Sequence, residues 1–296
     1  EGGRRPAHQL SPASVDAAVP GRRLHRPSLA GALRDSGRRG LSLSQFRRRH
    51  VARTLSRSGS RSIRPMRASF VETARDGQAR CGVVTTARGE FTTPRFMPVG
   101  TRGAIVHLDA SDVEALGAQV ILANTYHLMM RPGADVVETL GGIHGMADWG
   151  GHVLTDSGGY QIFSLGPELS DEGATFKSTY DGSTHLLTPE GAVDVQAKIG
   201  ADIQMVLDVC PSSIADLSVV RSAVERTGRW AERGRAAFLD HPDAARRQCQ
   251  FGIVQGGTDE VLREQSARQV TEIGFDGYAV GGLSVGEDRS EMLSGL

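Results

Sequence analysis

The stretch LTDSGGYQ, Leu154 to Gln161, delivers one carboxylate, Asp156, from an apolar run into a turn of Ser157, Gly158 and Gly159, with Tyr160 directly after it. Three further apolar runs end on hydrogen-bonding groups: IQMVLDVC on Asp208, FGIVQGG on Gln255, and YAVGGL on the backbone of Gly281 and Gly282. Carboxylates accept hydrogen bonds, whereas a Gln amide and glycine N–H groups donate them, so the set offers acceptors on one side and donors on the other. A planar heterocycle with an amidine-like N–H edge beside a keto oxygen matches that set, and guanine is the familiar example. Tyr160 can lie on the face of such a ring. Glycines at 158, 159, 256, 257, 281 and 282 allow close backbone approach, although each can equally serve only a turn. A single Asp at a strand end can equally cap a helix; four polar strand ends, each followed by small residues, favour a site. The GG pairs form neither a GxGxxG fingerprint nor a GxxxxGK loop, so a nucleotide cofactor is not indicated.

These groups need elements to position them. The apolar runs at 95–99, 119–123, 152–155, 203–208, 250–255 and 277–280 read as buried parallel strands. Helix-period segments separate most of them. Ser111 is placed to cap SDVEALG, Pro189 opens PEGAVDVQAKIG, residues 215–239 form a long charged helix, and Asp259 caps DEVLREQSARQVTEIG, which ends on Gly274. Alternating strands and helices imply an α/β fold with a parallel sheet, either a barrel or an open doubly wound sheet. In both, ligands bind at the carboxyl ends of the strands, where all four polar groups fall. CGVVTTARGEFTTPRFMPVG reads as a hairpin ahead of the sheet, and ATFKSTYDGSTHLL, with its DG turn, as a hairpin inserted after the Asp156 strand.

Composition sets the outer bounds. A chain of 296 residues with 39% hydrophobic content can bury a sizeable core, and no run approaches the roughly 18 apolar residues of a membrane span. Cys81, Cys210 and Cys249 are too far apart for a CxxC motif, and so sparse a count fits a reducing compartment. The zero net charge hides an asymmetry: residues 1–65 hold 15 arginines, no lysine and three acids, giving +12, against −12 for the rest. That Arg/Ser-rich first part is expected to be a disordered extension. It reads as an organelle transit peptide, an RNA-binding arm, or sequence ahead of a start at Met66. Localisation is expected to be cytoplasmic, or in an organelle if the arm is a transit peptide. His127 reads as a structural residue and the Arg221–Arg247 stretch as a solvated face.

From about Met66 onward, the ordered set FMPVGT, NTYHLMMRPG, LTDSGGYQ, LDVC, IVQGG and GFDGYAVGGLSVGE resembles the tRNA-guanine transglycosylase family, also called queuine tRNA-ribosyltransferases. The resemblance implies a (β/α)8 TIM-like barrel, with about six βα units in residues 66–296 after an N-terminal β-hairpin. It implies exchange of guanine for a 7-deazaguanine base at the wobble position of tRNA with a GUN-type anticodon. Residue by residue, Asp156 corresponds to the general acid/base, and Asp156, Ser157, Gly158, Gly159 and Tyr160 to the base-binding turn. Asp208 would hold the N1 and exocyclic amino edge, while Gln255 and the Gly282 amide would reach the keto oxygen. Leu283, Cys210 and Val285 complete the lining. Cys210 with Val285 favours 7-aminomethyl-7-deazaguanine over queuine, for which a Gly at the second position makes room; Val209 departs from the family, which usually carries an acid there. The family's nucleophilic aspartate and its Cys/His zinc cluster match nothing here. The sequence is therefore expected to be a C-terminally truncated fragment, inactive alone, with no cofactor or metal of its own and a structural zinc in the full-length protein. Expected partners are the tRNA, the base, and a second subunit in a homodimer or a heterodimer with a noncatalytic paralogue. The alternatives are a noncatalytic partner subunit, a queuine-using enzyme, or another purine-binding barrel.

Overall fold

The structure, a computed structural model, describes residues 67–296. The expectations for residues 1–65 lie outside the described residues. The described part opens with an antiparallel sheet of β1 (Ser69–Asp76), β2 (Ala79–Thr85) and β3 (Glu90–Thr93), in that order. The expected hairpin is β2 and β3, closed by a turn in which Thr86 N–H donates to Gly89 O at 2.8 Å. Strand β1 adds to it without any mark in the sequence pattern. All eight of its residues are exposed, so it is held by its ladder to β2 and carries no buried face to create an alternating pattern.

The 95–99 run is not a full strand, which corrects the expected count of six. It meets the sheet only through a parallel bridge between Val99 and Leu122, with Leu122 N–H donating to Pro98 O at 2.9 Å. Pro94 and Pro98 lack N–H groups, so this run cannot sustain a ladder. Helix α1 (Ala110–Ala115) follows, capped by Asp109 rather than Ser111: the Asp109 side chain accepts from Asp112 N–H, and the Asp112 side chain accepts from Asp109 N–H in return. Then come β4 (Val120–Ala123), α2 (Thr125–Met130), α3 (Ala134–Thr139), α4 (Gly142–Ala147), β5 (His152–Thr155) and α5 (Gly159–Ser164). The inserted segment is a three-stranded antiparallel sheet of β6 (Glu168–Leu169), β7 (Ala174–Lys177) and β8 (Thr184–Leu187), one strand more than the expected hairpin. The chain continues through α6 (Pro189–Ile199), β9 (Ile203–Met205), α7 (Leu217–Asp240), α8 (Ala244–Arg247), β10 (Cys249–Val254), α9 (Glu260–Ile273), β11 (Gly277–Val280) and α10 (Arg289–Ser294). Pro189 opens α6 behind a Thr188 cap, and Asp259 caps α9, which ends on left-handed Gly274.

The parallel sheet has the order β4-β5-β9-β10-β11. Each strand in turn joins the edge left by the one before it. A doubly wound sheet reverses direction at a switch point; this one never does, which is the winding of a β/α barrel. Alternation along the strands separates two faces: Val120, Leu154, Ile203, Met205 and Ile253 pack in one buried cluster with Phe91 of the N-terminal sheet, whereas Ile121, Ala123 and Val153 pack in another with Leu128, Val137 and Ile199 of the helices. Strand β9 stops at Met205 instead of reaching Asp208. The buried Gln196 side chain takes over there, accepting from Met205 N–H at 3.0 Å and donating to Met205 O at 2.9 Å.

At the amino end of the sheet, buried Asp202 joins three elements. Its carboxylate accepts from Arg88 of the β2–β3 turn at 2.7 Å and from Val153 N–H of β5 at 2.8 Å, and lies 3.1 Å from His144 Nε2 of α4. Burial alone would raise the Asp202 pKa, but His144, Val153 and Arg88 together hold it below the ordinary value.

Candidate functional site

Strand β5 ends at Thr155, and the next residue, Asp156, turns its carboxylate back toward the start of α2. One oxygen accepts from Thr125 N–H at 2.9 Å and Gly158 N–H at 3.0 Å; the other accepts from Asn124 Nδ2 at 2.7 Å. Gly158 sits at φ +79°, a left-handed conformation that starts α5 without steric cost. Burial raises the Asp156 pKa from its ordinary 3.8 to about 6. The Thr125 and Gly158 N–H groups oppose the rise, and the nearby Asp208 charge adds to it.

Ser157 connects this turn to the second carboxylate. Its hydroxyl donates to Asp208 Oδ1 at 2.9 Å and accepts from Gly159 N–H at 3.1 Å. The other oxygen of Asp208 accepts from Gln255 Nε2 at 2.6 Å. Asp208 is buried, which pushes its pKa up despite the Ser157 and Gln255 donors. Gly159 has no room for a side chain: a Cβ there would stand 2.8 Å from Asp208 O and 3.0 Å from Asp208 Oδ1. Gln255 is equally enclosed, and its Oε1 has no hydrogen-bond partner among the described residues. A Cβ on Gly282 would come within 2.8 Å of that Oε1, so the glycine backbone lies directly against the amide.

The structure therefore brings Asp156, Ser157, Gly158, Gly159, Asp208, Gln255 and Gly282 together at the carboxyl ends of β5, β9, β10 and β11. Cys210 lies beside them half-buried, and burial with the Asp208 charge pushes its thiol up to about 11, so it is protonated and inert. Val285 and Leu283 are also half-buried. The Glu287 carboxylate grips the N–H groups of Ser284 and Val285, the latter at 2.9 Å, and fixes this loop. A cavity of about 110 Å³ opens beside Gly256, Gly257 and Gly282. Tyr160 differs from the rest in being 59% exposed.

Several residues that hold the site have no local signal of that role. Asn124 both caps α2, accepting from His127 N–H at 3.0 Å, and donates to Asp156; its place directly after an apolar run is the available hint. Ser266 accepts from Gln255 N–H at 2.9 Å. Arg263, buried in α9, donates to Gly257 O and Gly281 O, each at 3.1 Å, and so joins the two glycine loops. Among the described residues no three or more His, Cys, Asp or Glu side chains gather as a zinc ion would require, so those residues do not fit that group. Among them, too, no helix is long and apolar enough to cross a membrane.

Chemically, the arrangement is a wall of two carboxylates with raised pKa facing amide and glycine N–H groups, which suits a neutral planar base with both donors and acceptors. Comparison with known proteins agrees with that chemistry. A family model described as Queuine tRNA-ribosyltransferase matches residues 76–296. The chain is 52% identical over 219 residues to a queuine tRNA-ribosyltransferase of Solidesulfovibrio magneticus, covering 73% of this chain and 58% of the relative. It is 50% identical over 229 residues to the Zymomonas mobilis protein of that name (77% and 59%), and 48% identical over 232 residues to that of Novosphingobium aromaticivorans (78% and 62%). The chain thus spans about three fifths of the length of these curated relatives. With the family match covering most of its length, the chain belongs to the queuine tRNA-ribosyltransferase family.

Proposed function

We propose that the protein takes part in base exchange on tRNA, replacing the wobble guanine of a GUN-type anticodon with a 7-deazaguanine by double displacement. The observation that carries the reading is the Asp156–Ser157 turn: a carboxyl group poised near neutrality, whose neighbour reaches directly into the Asp208–Gln255–Gly282 cluster. In such an exchange a carboxylate attacks the ribose C1′, the bond to guanine breaks, and guanine leaves with a proton. The incoming base then loses a proton and displaces the carboxylate from C1′. No residue of this chain is assigned to the attack.

Asp156 has the acidity for the proton transfers. A group of pKa about 6 is present in both forms near neutral pH, so it can give a proton to the departing guanine and take one from its replacement. The Asp208 oxygens retain lone pairs beyond those used by Ser157 and Gln255, and these suit the N1 and amino hydrogens of guanine. Gln255 Nε2 has a second hydrogen for the keto oxygen, which the Gly282 N–H would share. Tyr160 is free to close over the ring. Val285, with Cys210, narrows the pocket toward 7-aminomethyl-7-deazaguanine.

Calorimetry on the protein tests this. Guanine and 7-aminomethyl-7-deazaguanine should bind, and adenine, which presents the opposite edge, should bind at least about tenfold more weakly because it leaves buried groups unpaired. Asp208→Ala should abolish the preference. Adenine binding as tightly as guanine refutes the reading, and queuine binding more tightly than the aminomethyl base refutes the choice of substrate.

A further inference from the structure

Helix α2 lies between two turns. Its first residues face the β5–α5 turn: Asn124 and Thr125 donate to Asp156, and a Cβ on Gly158 would come 3.2 Å from Tyr126 N. The side chains of its next two residues reach the turn of the inserted β7–β8 hairpin. The Tyr126 hydroxyl is 3.0 Å from Thr179 Oγ1 and accepts Thr179 N–H at 3.1 Å, and His127 Nδ1 is 2.8 Å from the Tyr180 hydroxyl. The Tyr126 ring packs 5.8 Å from Phe176 of β7, and the Arg102 guanidinium lies over the Tyr180 ring. The inserted sheet is anchored through its β6–β7 turn as well, where Arg229 pairs with Asp171 at 2.7 Å and Trp230 Nε1 donates to Asp171 O at 3.1 Å. So the hairpin is fixed to α7, and α2 is fixed to the hairpin.

A helix of six residues has too few internal bonds to define its own start. Its neighbours must do so. We propose that the Ser178–Ser183 turn of the inserted hairpin, acting through Thr179 and Tyr180 on Tyr126 and His127, positions α2 so that Asn124 and Thr125 aim their N–H groups at Asp156. Thr179 and Tyr180 are positioning residues, since their contacts are with α2 and not with Asp156. The charged and titratable groups around this arrangement are Asp208 near Asp156, Arg102 near His127, Asp181 within the turn itself, bonded to Ser183, and His185 of β8, which contacts Ser183 and stacks on Phe176. The catalytic meaning of the device rests on the base-exchange reading; its geometry does not.

The test is a carbon-13 NMR titration of the Asp156 carboxyl in the protein without ligand, assigned with Asp156→Asn. Tyr180→Phe and Thr179→Val each remove one hydroxyl and keep the packing. Weakened donors should raise the Asp156 titration by roughly half a pH unit in each variant and further in the double variant, because the charged form loses stabilisation. Val270→Ala, which thins the core under α9, should lower the Tm without moving the titration. An Asp156 titration unchanged in the double variant overturns the proposal, whatever happens to the Tm. Guanine calorimetry on the same proteins separates the two ideas. Absent guanine binding with a moved titration removes the base-exchange reading alone, and intact binding with an unmoved titration removes the positioning role alone.

Discussion

The stability of Asp156→Asn relative to the parent protein should rise from acid to alkaline pH. The Asp156 pKa is raised from 3.8 to about 6 in the folded chain. For a carboxyl group raised on folding, the folded state binds the proton more tightly than the unfolded state does. Its contribution to stability is therefore complete below pH 3.8 and is lost as pH rises through about 6. A rise of that size corresponds to about 3 kcal/mol once both states are ionised. At pH 4.5 only about 1 kcal/mol of this has been lost, so the change from pH 4.5 to pH 8 is about 2 kcal/mol. Asn, like the protonated acid, carries no charge; its oxygen can still accept from Thr125 and Gly158, while its NH2 meets the Asn124 NH2, a cost that does not depend on pH. Whatever fixed offset the amide brings is the same at every pH, so the difference between the two pH values isolates the ionisation. Urea unfolding of both proteins at pH 4.5, 6 and 8 measures it. The stability of Asp156→Asn relative to the parent should climb by about 2 kcal/mol across that range. A difference that stays flat within about 0.5 kcal/mol would mean that Asp156 is not strained by its charge, and the acid/base assignment would lose its physical basis.

Two further outcomes follow from the same geometry. Asp202→Asn should cost about 2 kcal/mol at pH 7, less than a fully enclosed pair because a third of the Arg88 side chain is exposed. Since the Asp202 pKa is lowered, the penalty should be full above the unfolded carboxyl range and be lost as pH falls through the lowered folded value, so urea midpoints should show it smaller at pH 3 than at pH 7. Gly159→Ala should cost about 1–3 kcal/mol through overpacking and also weaken guanine binding, because the new methyl would press on Asp208 from 2.8 Å; thermal unfolding and calorimetry check the two effects separately.

Buried parallel strands advertise themselves as apolar runs, and a polar residue at the end of such a run is conspicuous. That is why Asp156, Asp208, Gln255 and Gly282 are legible in the sequence and are found together at one end of the sheet. What is not legible is the set of long-range side-chain bonds that trims or braces these strands. Gln196 ends β9 by capturing Met205, and nothing in IQMVLDVC hints at it. Asn124 is 32 residues from the carboxylate that it holds. Arg263 sits in an ordinary helical pattern, and only the fold shows its guanidinium between two glycine loops. Likewise β1 has no buried face, so no periodicity marks it, and the prolines of the 95–99 run outweigh its apolar content.

The two ends of the sheet treat buried carboxylates in opposite ways, and the contrast bears on function. Asp202 at the amino end has Arg88 and His144 within ion-pair distance, and its pKa falls. At the carboxyl end, among the described residues, Asp156 and Asp208 are held by amides, hydroxyls and backbone N–H groups, and both pKa values rise. All three lose hydration to the surrounding protein, Asp156 half-buried and the other two buried; among the described residues Asp202 has a compensating cation and the other two do not. An arginine beside Asp156 would favour the ionised form and leave a carboxyl group too acidic to exchange a proton near neutrality. Neutral donors hold the group in place and leave its ionisation open to change. Gln255 Oε1, which has no hydrogen-bond partner among the described residues, belongs to the same pattern, since a buried acceptor without a donor costs about 1–3 kcal/mol. A ligand edge that brings hydrogen-bond donors to this end of the sheet would suit the two carboxylates, as the N1 and amino hydrogens of the proposed guanine-like base would.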